Sequence, residues 1–250
     1  MSSTDAVPTS APRTARARAR AELTAEITNA ARRQLTEVGA AALSLRAVAR
    51  ELGMASSAVY RYFPSRDELL TALIVDAYDA VGAAAEAAER DTDGQPTVAR
   101  WGALATAVRA WASGHPNEYA LIYGSPVPGY AAPPDTIDPA ARPALAFLRV
   151  VADGMARGEI DAGEGSPRPP VLAGDLGGIR DAGAPGVPDE VVARALLVWT
   201  QLFGMISFEL FGHLHNVVHD YDALFDELVA RTGAYLVGQD SSRSSGGRKS

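Results

Sequence analysis

The chain has 250 residues, of which 47% are hydrophobic, so it is long enough for one or two domains with a packed core. It contains no cysteine, which excludes disulfides, thiolate metal sites and a cysteine nucleophile. The formal net charge is -7, yet residues 1–70 hold ten arginines and seven acids, and the remainder carries -10. A basic first part on an acidic body indicates a polyanionic partner for that first part alone.

The two ends of the chain have compositions typical of disorder. Residues 1–19 are predicted to be a disordered basic arm, and residues 239–250 a disordered tail. The start lacks the apolar segment of a signal peptide, and no apolar run reaches the length of a membrane span. The arginines before the first helix would reach a minor groove of DNA; they are Arg13, Arg16, Arg18 and Arg20.

Helical periodicity dominates the sequence between these ends. Ser44, Ser56 and Ser65 are predicted to cap helices, whereas Gly39, Gly53 and Pro64 follow helix ends. The glycine-rich stretch 158–187 is predicted to be a mobile loop or linker. The predicted helices are 21–38, 45–52, 56–63, 66–90, 97–113, 116–123, 140–157, 189–213 and 221–237.

Two short helices joined at Gly53 have the pattern of a helix-turn-helix. Ala49 is small where the helices cross, Gly53 suits a turn that needs a positive φ, and Val59 packs the second helix onto the first. Five further apolar side chains complete a small core: Leu45, Val48, Leu52, Met54 and Phe63. The alternative to a DNA-binding motif is a small structural core whose outer polar side chains are simply solvated.

The polar and aromatic positions outside that core predict a surface that binds DNA. Serine and tyrosine hydroxyls donate to phosphate oxygens, and arginine donates to guanine or to phosphate. Helix starts also offer free backbone N–H groups to phosphate. The predicted DNA-binding residues are Ser44, Arg46, Ser56, Ser57, Tyr60, Arg61 and Arg66.

Residues 22–70 resemble the DNA-binding domain of the TetR family of bacterial transcriptional regulators. The block "LRAVARELGMASSAVYRYFPSRDELL" is close to the family pattern throughout, except that Arg61 stands where many members carry histidine or another residue. The resemblance implies an all-α fold, with a three-helix helix-turn-helix head at 20–66 and a helical domain at 67–238 that binds ligands and dimerises. It also implies a bacterial, cytoplasmic homodimer that acts on a near-palindromic operator, usually as a repressor.

The last two helices, 189–213 and 221–237, are predicted to form the dimer interface. The first is apolar almost all round, which indicates burial on more than one side. The alternative is a central core helix of a monomer. This segment and "HPNEYALIYGSPVPGY" also weakly resemble a C-terminal domain type of the family called WHG.

Large apolar side chains of the middle helices are predicted to line a pocket for an apolar or aromatic small molecule, with Tyr119, Tyr123 and Gln201 orienting it. The alternative is that these groups only fill the core. The predicted pocket residues are Trp101, Leu104, Val108, Trp111, Phe147, Trp199 and Phe203.

Three other kinds of site are not predicted. His215 and His219 have zinc-compatible spacing near His213, but they lie at a helix end, so capping or solvated histidines are the preferred reading. The segment "GDLGGIRDAG" follows no strand and lacks the Lys-Ser/Thr of a phosphate loop. No catalytic constellation and no cofactor motif occurs, so an enzyme is not predicted.

The sequence therefore predicts a dimeric DNA-binding regulator, a repressor that an apolar ligand releases from its operator. One alternative is a constitutive DNA-binding protein with no pocket. The other is a helical binding protein or enzyme whose head contacts proteins, which the basic head on an acidic body disfavours.

Overall fold

The computed structural model describes residues 11–163 and 170–239, with side chains from residue 15 in the first stretch and from residue 171 in the second. Within these stretches all regular structure is helical, which confirms the predicted all-α class. The α-helices are α1 Ala11–Val38, α2 Leu45–Glu51, α3 Ser56–Val59, α4 Arg66–Asp91, α5 Thr97–Gly114, α6 Pro116–Tyr123, α7 Ile137–Ala156, α8 Pro170–Gly183, α9 Asp189–Leu210 and α10 Tyr221–Leu236. Short 3₁₀ helices occupy Ala40–Ala42 and Pro134–Thr136.

The chain divides into two compact units. The first runs up to Ile74 and includes the loop Ser125–Pro133; the second contains Val75–Gly124 and the chain from Pro134 onward. The boundary lies inside α4 rather than at residue 66, because Leu69, Leu70 and Leu73 are buried in the first unit. The loop joins that unit partly through a 2.9 Å hydrogen bond between the hydroxyls of Thr71 and Tyr130.

The core of the first unit joins one face of α1 to both short helices. Its α1 residues repeat at helical spacing, namely Ile27, Ala30, Ala31 and Leu35. Leu45, Val48, Ala49, Val59 and Phe63 of the predicted small core are buried, whereas Leu52 and Met54 are half-buried. Fully burying one such aliphatic side chain contributes about 1.5–3 kcal/mol, so this small unit depends on each of them.

The first helix begins ten residues earlier than its predicted start near residue 21. Residues 11–19, expected to belong to a disordered arm, are part of α1. The segment alternates alanine and arginine, both strong helix formers, and Pro12 stands at the helix start, where it is tolerated. Composition typical of disorder was therefore outweighed by helix propensity. Residues 1–10 and the predicted tail from 240 lie outside the described residues.

The stretch predicted to be a loop or linker contains a helix, α8. Leu176 is almost fully buried, and Ile179 is partly buried beside it. The glycines of α8 lower its intrinsic helix propensity, which is why the sequence pattern missed it. Packing against α7 and α9 supplies the stability that propensity does not.

The second unit is a helical bundle in which α9 contacts α5, α7, α8 and α10. The fully buried residues Trp101, Leu104 and Val108 of α5 lie at its centre with Val198 and Leu202 of α9. By length and composition alone α9 is also apolar enough to cross a membrane, but close to half of that window is buried against its neighbours. It is therefore a core helix of the bundle.

Candidate nucleic-acid interface and apolar cleft

The turn between α2 and α3 has the geometry of a Schellman motif. Gly53 has a φ of 65°, its N–H donates to the Arg50 carbonyl, and the Met54 N–H donates to the Ala49 carbonyl over 2.8 Å. Glycine is favoured here because an L side chain at this φ is strained. The turn therefore fixes the angle at which α3 leaves α2.

The predicted recognition surface lies on one part of the first unit and is accessible. Arg46, Ser57, Tyr60 and Arg61 are exposed, with Tyr60 41% exposed. Ser44 and Ser56 are half-buried. The regular part of α3 ends at Val59 rather than near Phe63, but hydrogen bonds to the Val59 carbonyl from the Tyr62 and Phe63 N–H groups continue the turn.

The serine caps follow the prediction only in part. Ser44 occupies the N-cap of α2, but its N–H donates to Gln34 Oε1 of α1 over 3.3 Å and its hydroxyl makes no capping bond. Ala55, not Ser56, occupies the N-cap of α3. The hydroxyls of Ser44 and Ser56 are thus not used as caps. Ser65 does cap α4, since its Oγ accepts the Glu68 N–H over 3.1 Å.

Ion pairing leaves the surface positive. Glu51, the lone acid of the segment 44–63, accepts from Arg33 Nε of α1 over 2.6 Å. Arg46, Arg50 and Arg61 make no ion pair with the described acids. Three guanidinium groups therefore face solvent without a carboxylate, an arrangement that attracts a polyanion.

Arg66 differs from the other predicted DNA-binding residues. Its Nη2 donates to the carbonyls of Ala40 and Ala41, over 2.8 and 3.1 Å, and its Nη1 lies 3.6 Å from Asp67. The guanidinium holds the start of α4 to the 3₁₀ helix after α1. We therefore treat Arg66 as a positioning residue of the head and leave it out of the proposed contacts.

An apolar cleft of about 180 Å³ opens between α7, α8 and α9 of the second unit. Phe147 and Trp199 line it as predicted, with stacked rings 5.6 Å apart. Sequence reasoning missed the other lining residues, because α8 was not predicted and the aliphatic residues of α7 and α9 carry no sequence signal that separates a cleft from the core. They are Ala144, Leu148, Ile179, Val192, Ala195 and Leu196.

The remaining predicted pocket residues do not line this cleft. Trp101, Leu104 and Val108 are fully buried in the bundle core, and Trp111 stacks on His115. Phe203 packs between the rings of Trp199 and Tyr123. Trp101, Leu104 and Val108 thus belong to the buried core of the bundle, and Phe203 packs against it.

The predicted orienting residues have other surroundings. The Tyr119 hydroxyl is 2.8 Å from the Ser207 hydroxyl and donates to the Phe203 carbonyl over 3.2 Å. Burial raises the pKa of Tyr123 well above its ordinary value, so the phenol stays neutral. Gln201 is exposed on α9.

The histidine-rich segment after α9 is a turn. His213 and His215 lie in it, and Asn216 follows with a φ of 63°. Across the described residues, three His, Asp or Glu side chains nowhere come together as a metal site would require.

A three-helix head with a helix-turn-helix, an exposed cationic face and a separate helical bundle defines a DNA-binding transcriptional regulator. The family model of the bacterial regulatory proteins of the tetR family matches residues 27–73, and the tetracyclin repressor-like C-terminal domain matches residues 101–232. The chain belongs to the TetR family, whose members are regulators and not enzymes.

Relatives and solved structures agree with this assignment. HTH-type transcriptional regulators of Mycobacterium tuberculosis and Mycobacterium bovis are 46% identical over 212 residues, which cover 83% of this chain and 89% of theirs. The crystal structure of regulatory protein SCO4313 is 36% identical, with a TM-score of 0.70, and covers 86% of this chain and 97% of its own. The TetR family regulator PfmR of Thermus thermophilus shares only the fold, at 16% identity, a TM-score of 0.53, and coverage of 85% and 97%.

Proposed function

We propose that this regulator is a cytoplasmic, dimeric repressor whose head reads a near-palindromic operator through Ser44, Arg46, Ser56, Ser57, Tyr60 and Arg61. The observation that carries the DNA contact is the accessible cationic face around α2 and α3, whose own acid is neutralised by Arg33. Tyr60 and Arg61 follow directly on α3, the helix that enters the major groove in helix-turn-helix proteins.

The ligand part of the proposal depends on the cleft. Cavities of about 150 Å³ lined by aliphatic and aromatic side chains bind benzene, so 180 Å³ suits a molecule of one or two rings. All eight lining residues are apolar, which favours an apolar or aromatic ligand over a sugar or a phosphate. The alternative of a constitutive DNA-binding protein requires this cleft to stay empty.

Helix α7 offers a route from the cleft to α4. It contributes Ala144, Phe147 and Leu148 to the cleft, and its Arg142 and Arg149 bind acids of α4. A ligand that binds better when α7 is displaced therefore acts on α4 as well. It shifts the population only by its difference in affinity for the two arrangements.

The exposed apolar residues of α9 favour this helix as the centre of the dimer interface. Leu197 and Phe208 are each 50% exposed, and Gly204 lies between them on the same face. The exposed face of α10, by contrast, carries Asp226, Glu227 and Arg231. We therefore propose α9 as the centre of the interface and give α10 a lesser part than the sequence predicted.

The experiment is to select bound fragments from a random DNA pool with the full-length protein, at a fixed salt concentration. The proposal expects an enriched near-palindrome. Indole and naphthalene are then tested as probes for release of that operator and for thermal stabilisation. If no DNA sequence is enriched, the proposed sequence-specific contact by the head is wrong. If an operator is enriched but no one- or two-ring probe releases it or stabilises the protein, the constitutive alternative is favoured.

A further inference from the structure

The amino-terminal part of α1 projects beyond the packed part of the first unit. Residues 15–22 are all exposed, and Ile27 is the first fully buried residue of the helix. At about 1.5 Å per residue, the axis from Arg16 to Ile27 is roughly 16 Å long. This projection, residues 15–22, has arginines at 16, 18 and 20 and a single acid, Glu22.

Helical periodicity separates the three arginines of the projection. Arg16 and Arg20 are four residues apart, and Ile27 follows Arg20 by seven, so all three share the face that packs onto the head further along α1. Arg18 lies on the opposite face. Arg13 belongs to α1 by its backbone, and its side chain is outside the described part of the chain.

One contact ties this projection to the proposed recognition surface. The guanidinium carbon of Arg20 lies over the ring of Tyr62, 5.0 Å from its centroid. Tyr62 is two residues after Tyr60 and next to Arg61. A guanidinium stacked on an aromatic ring keeps its in-plane N–H groups free to donate to a phosphate.

The dimensions of a helix decide which part of DNA these arginines reach. An α-helix with its side chains is about 10–12 Å across, whereas the minor groove of B-DNA is about 6 Å wide. The predicted insertion of a basic arm into the minor groove therefore does not suit the helical part of this segment. Side chains on one face of a helix can instead reach the backbone phosphates.

We propose that Arg16 and Arg20 bind backbone phosphates of double-stranded DNA outside the half-site read by α2 and α3. The inference rests on the proposed operator contact by Tyr60 and Arg61, and it adds a second cationic surface continuous with that one. It extends the DNA needed for full affinity without adding base preference, because phosphates carry no direct sequence information.

The test uses the full-length protein and two duplexes built on the selected operator. One duplex ends at the outer edges of the half-sites, and the other adds about six base pairs, roughly 20 Å, on each side. The variants are Arg16→Gln with Arg20→Gln, and Arg18→Gln as the matched control on the opposite face. Glutamine keeps helix propensity, and equal melting temperatures check that each variant is folded.

The parent and Arg18→Gln are expected to bind the long duplex about tenfold or more tightly than the short one, while the double variant binds both alike. With four arginines in a dimer, the double variant should also lower the slope of log affinity against log salt by about 3 to 4 on the long duplex. The increase in affinity from the short to the long duplex should be the same whether the added base pairs are A·T or G·C.

Three results would overturn the inference. The double variant could still bind the long duplex more tightly than the short one, or Arg18→Gln could lose that difference in affinity to the same extent as the double variant. The difference could also occur only with A·T flanking sequences, which would indicate insertion into the minor groove. Failure of the parent to enrich any operator is a different outcome, since it contradicts the proposed function itself.

Discussion

At the scale of single residues, exposure and pairing separate side chains that read DNA from side chains that hold the head. Tyr60 and Arg61 are exposed, so their truncation removes contacts to DNA and little packing. Tyr60→Ala and Arg61→Ala are each expected to weaken operator binding by about 10- to 100-fold, the size of one good base or phosphate contact. Titration of the labelled operator measures this.

The matched control for both variants is Arg231→Ala on α10, an exposed arginine paired with Glu227 outside the head. It should bind like the parent. If Tyr60→Ala and Arg61→Ala also bind like the parent, the recognition face has been placed wrongly.

Arg66 and Arg46 should respond in opposite ways. Arg66→Ala removes the hydrogen bonds to the Ala40 and Ala41 carbonyls, so it should lower the free energy of unfolding by about 1–2 kcal/mol and leave the salt slope unchanged. Arg46→Ala should leave stability unchanged and lower the slope by about 1 for each half-site. Thermal unfolding and operator binding at several salt concentrations distinguish the two variants. If Arg66→Ala reduces the slope of log affinity against log salt concentration, Arg66 is a phosphate contact.

At the scale of helices, α4 and α7 are joined by a row of charged pairs. Arg142 donates to both oxygens of Glu86, over 2.9 and 2.8 Å, and also pairs with Asp79. The helices approach closely at Gly82, where an added Cβ would lie 2.8 Å from the Arg142 Cβ. The Arg142 hydrogen bonds hold the pKa of Glu86 below its ordinary value, against a smaller opposing effect of burial.

A carboxyl with a lowered folded-state pKa stabilises the fold above its unfolded pKa, near 4.3 for Glu, and loses that stabilisation as pH falls through the folded value. Glu86→Gln should therefore cost about 1 kcal/mol at pH 7, a difference that shrinks below about pH 4. Urea unfolding from pH 7 to pH 3 measures it. A pH-independent cost for Glu86→Gln would mean that packing, not charge, is responsible.

The cleft between α7, α8 and α9 allows a second test at this scale. Ala144 is only partly buried at its edge, so Ala144→Trp should fill the opening without overpacking the core. Binding of one- or two-ring probes should be lost while operator binding is kept. Ala110→Trp, at an exposed position of α5, is the control. If the probes still release the operator from Ala144→Trp, the ligand binds at a different site.

At the scale of the whole molecule, the exposed apolar face of α9 is expected to be covered by a second copy. Leu197→Lys places a charge at the proposed centre, so it should produce monomers and abolish high-affinity operator binding, since each half-site alone binds weakly. Light scattering measures the mass. Ala230→Lys adds the same charge on α10, and this variant should stay dimeric. If it dissociates into monomers, α10 takes a full part in the interface, as the sequence predicted.

The sequence by itself determined the head, because its information is local. Gly53 permits the turn, and Ala49 and Val59 set the helix crossing. Arg46 and Arg61, which lie outside that core, are exposed as their positions predicted. Most helix bounds were also predicted to within a few residues, since caps and apolar periodicity lie within each segment.

Only the tertiary structure decided the rest, because those features depend on partners distant in sequence. Packing against α7 and α9 makes α8 helical despite its glycines, and so creates the cleft that Trp101, Leu104 and Val108 do not reach. Arg33 neutralises Glu51 from eighteen residues away, and Arg66 donates hydrogen bonds to the carbonyls of Ala40 and Ala41. Pairwise contacts of this kind leave no periodic trace in the sequence.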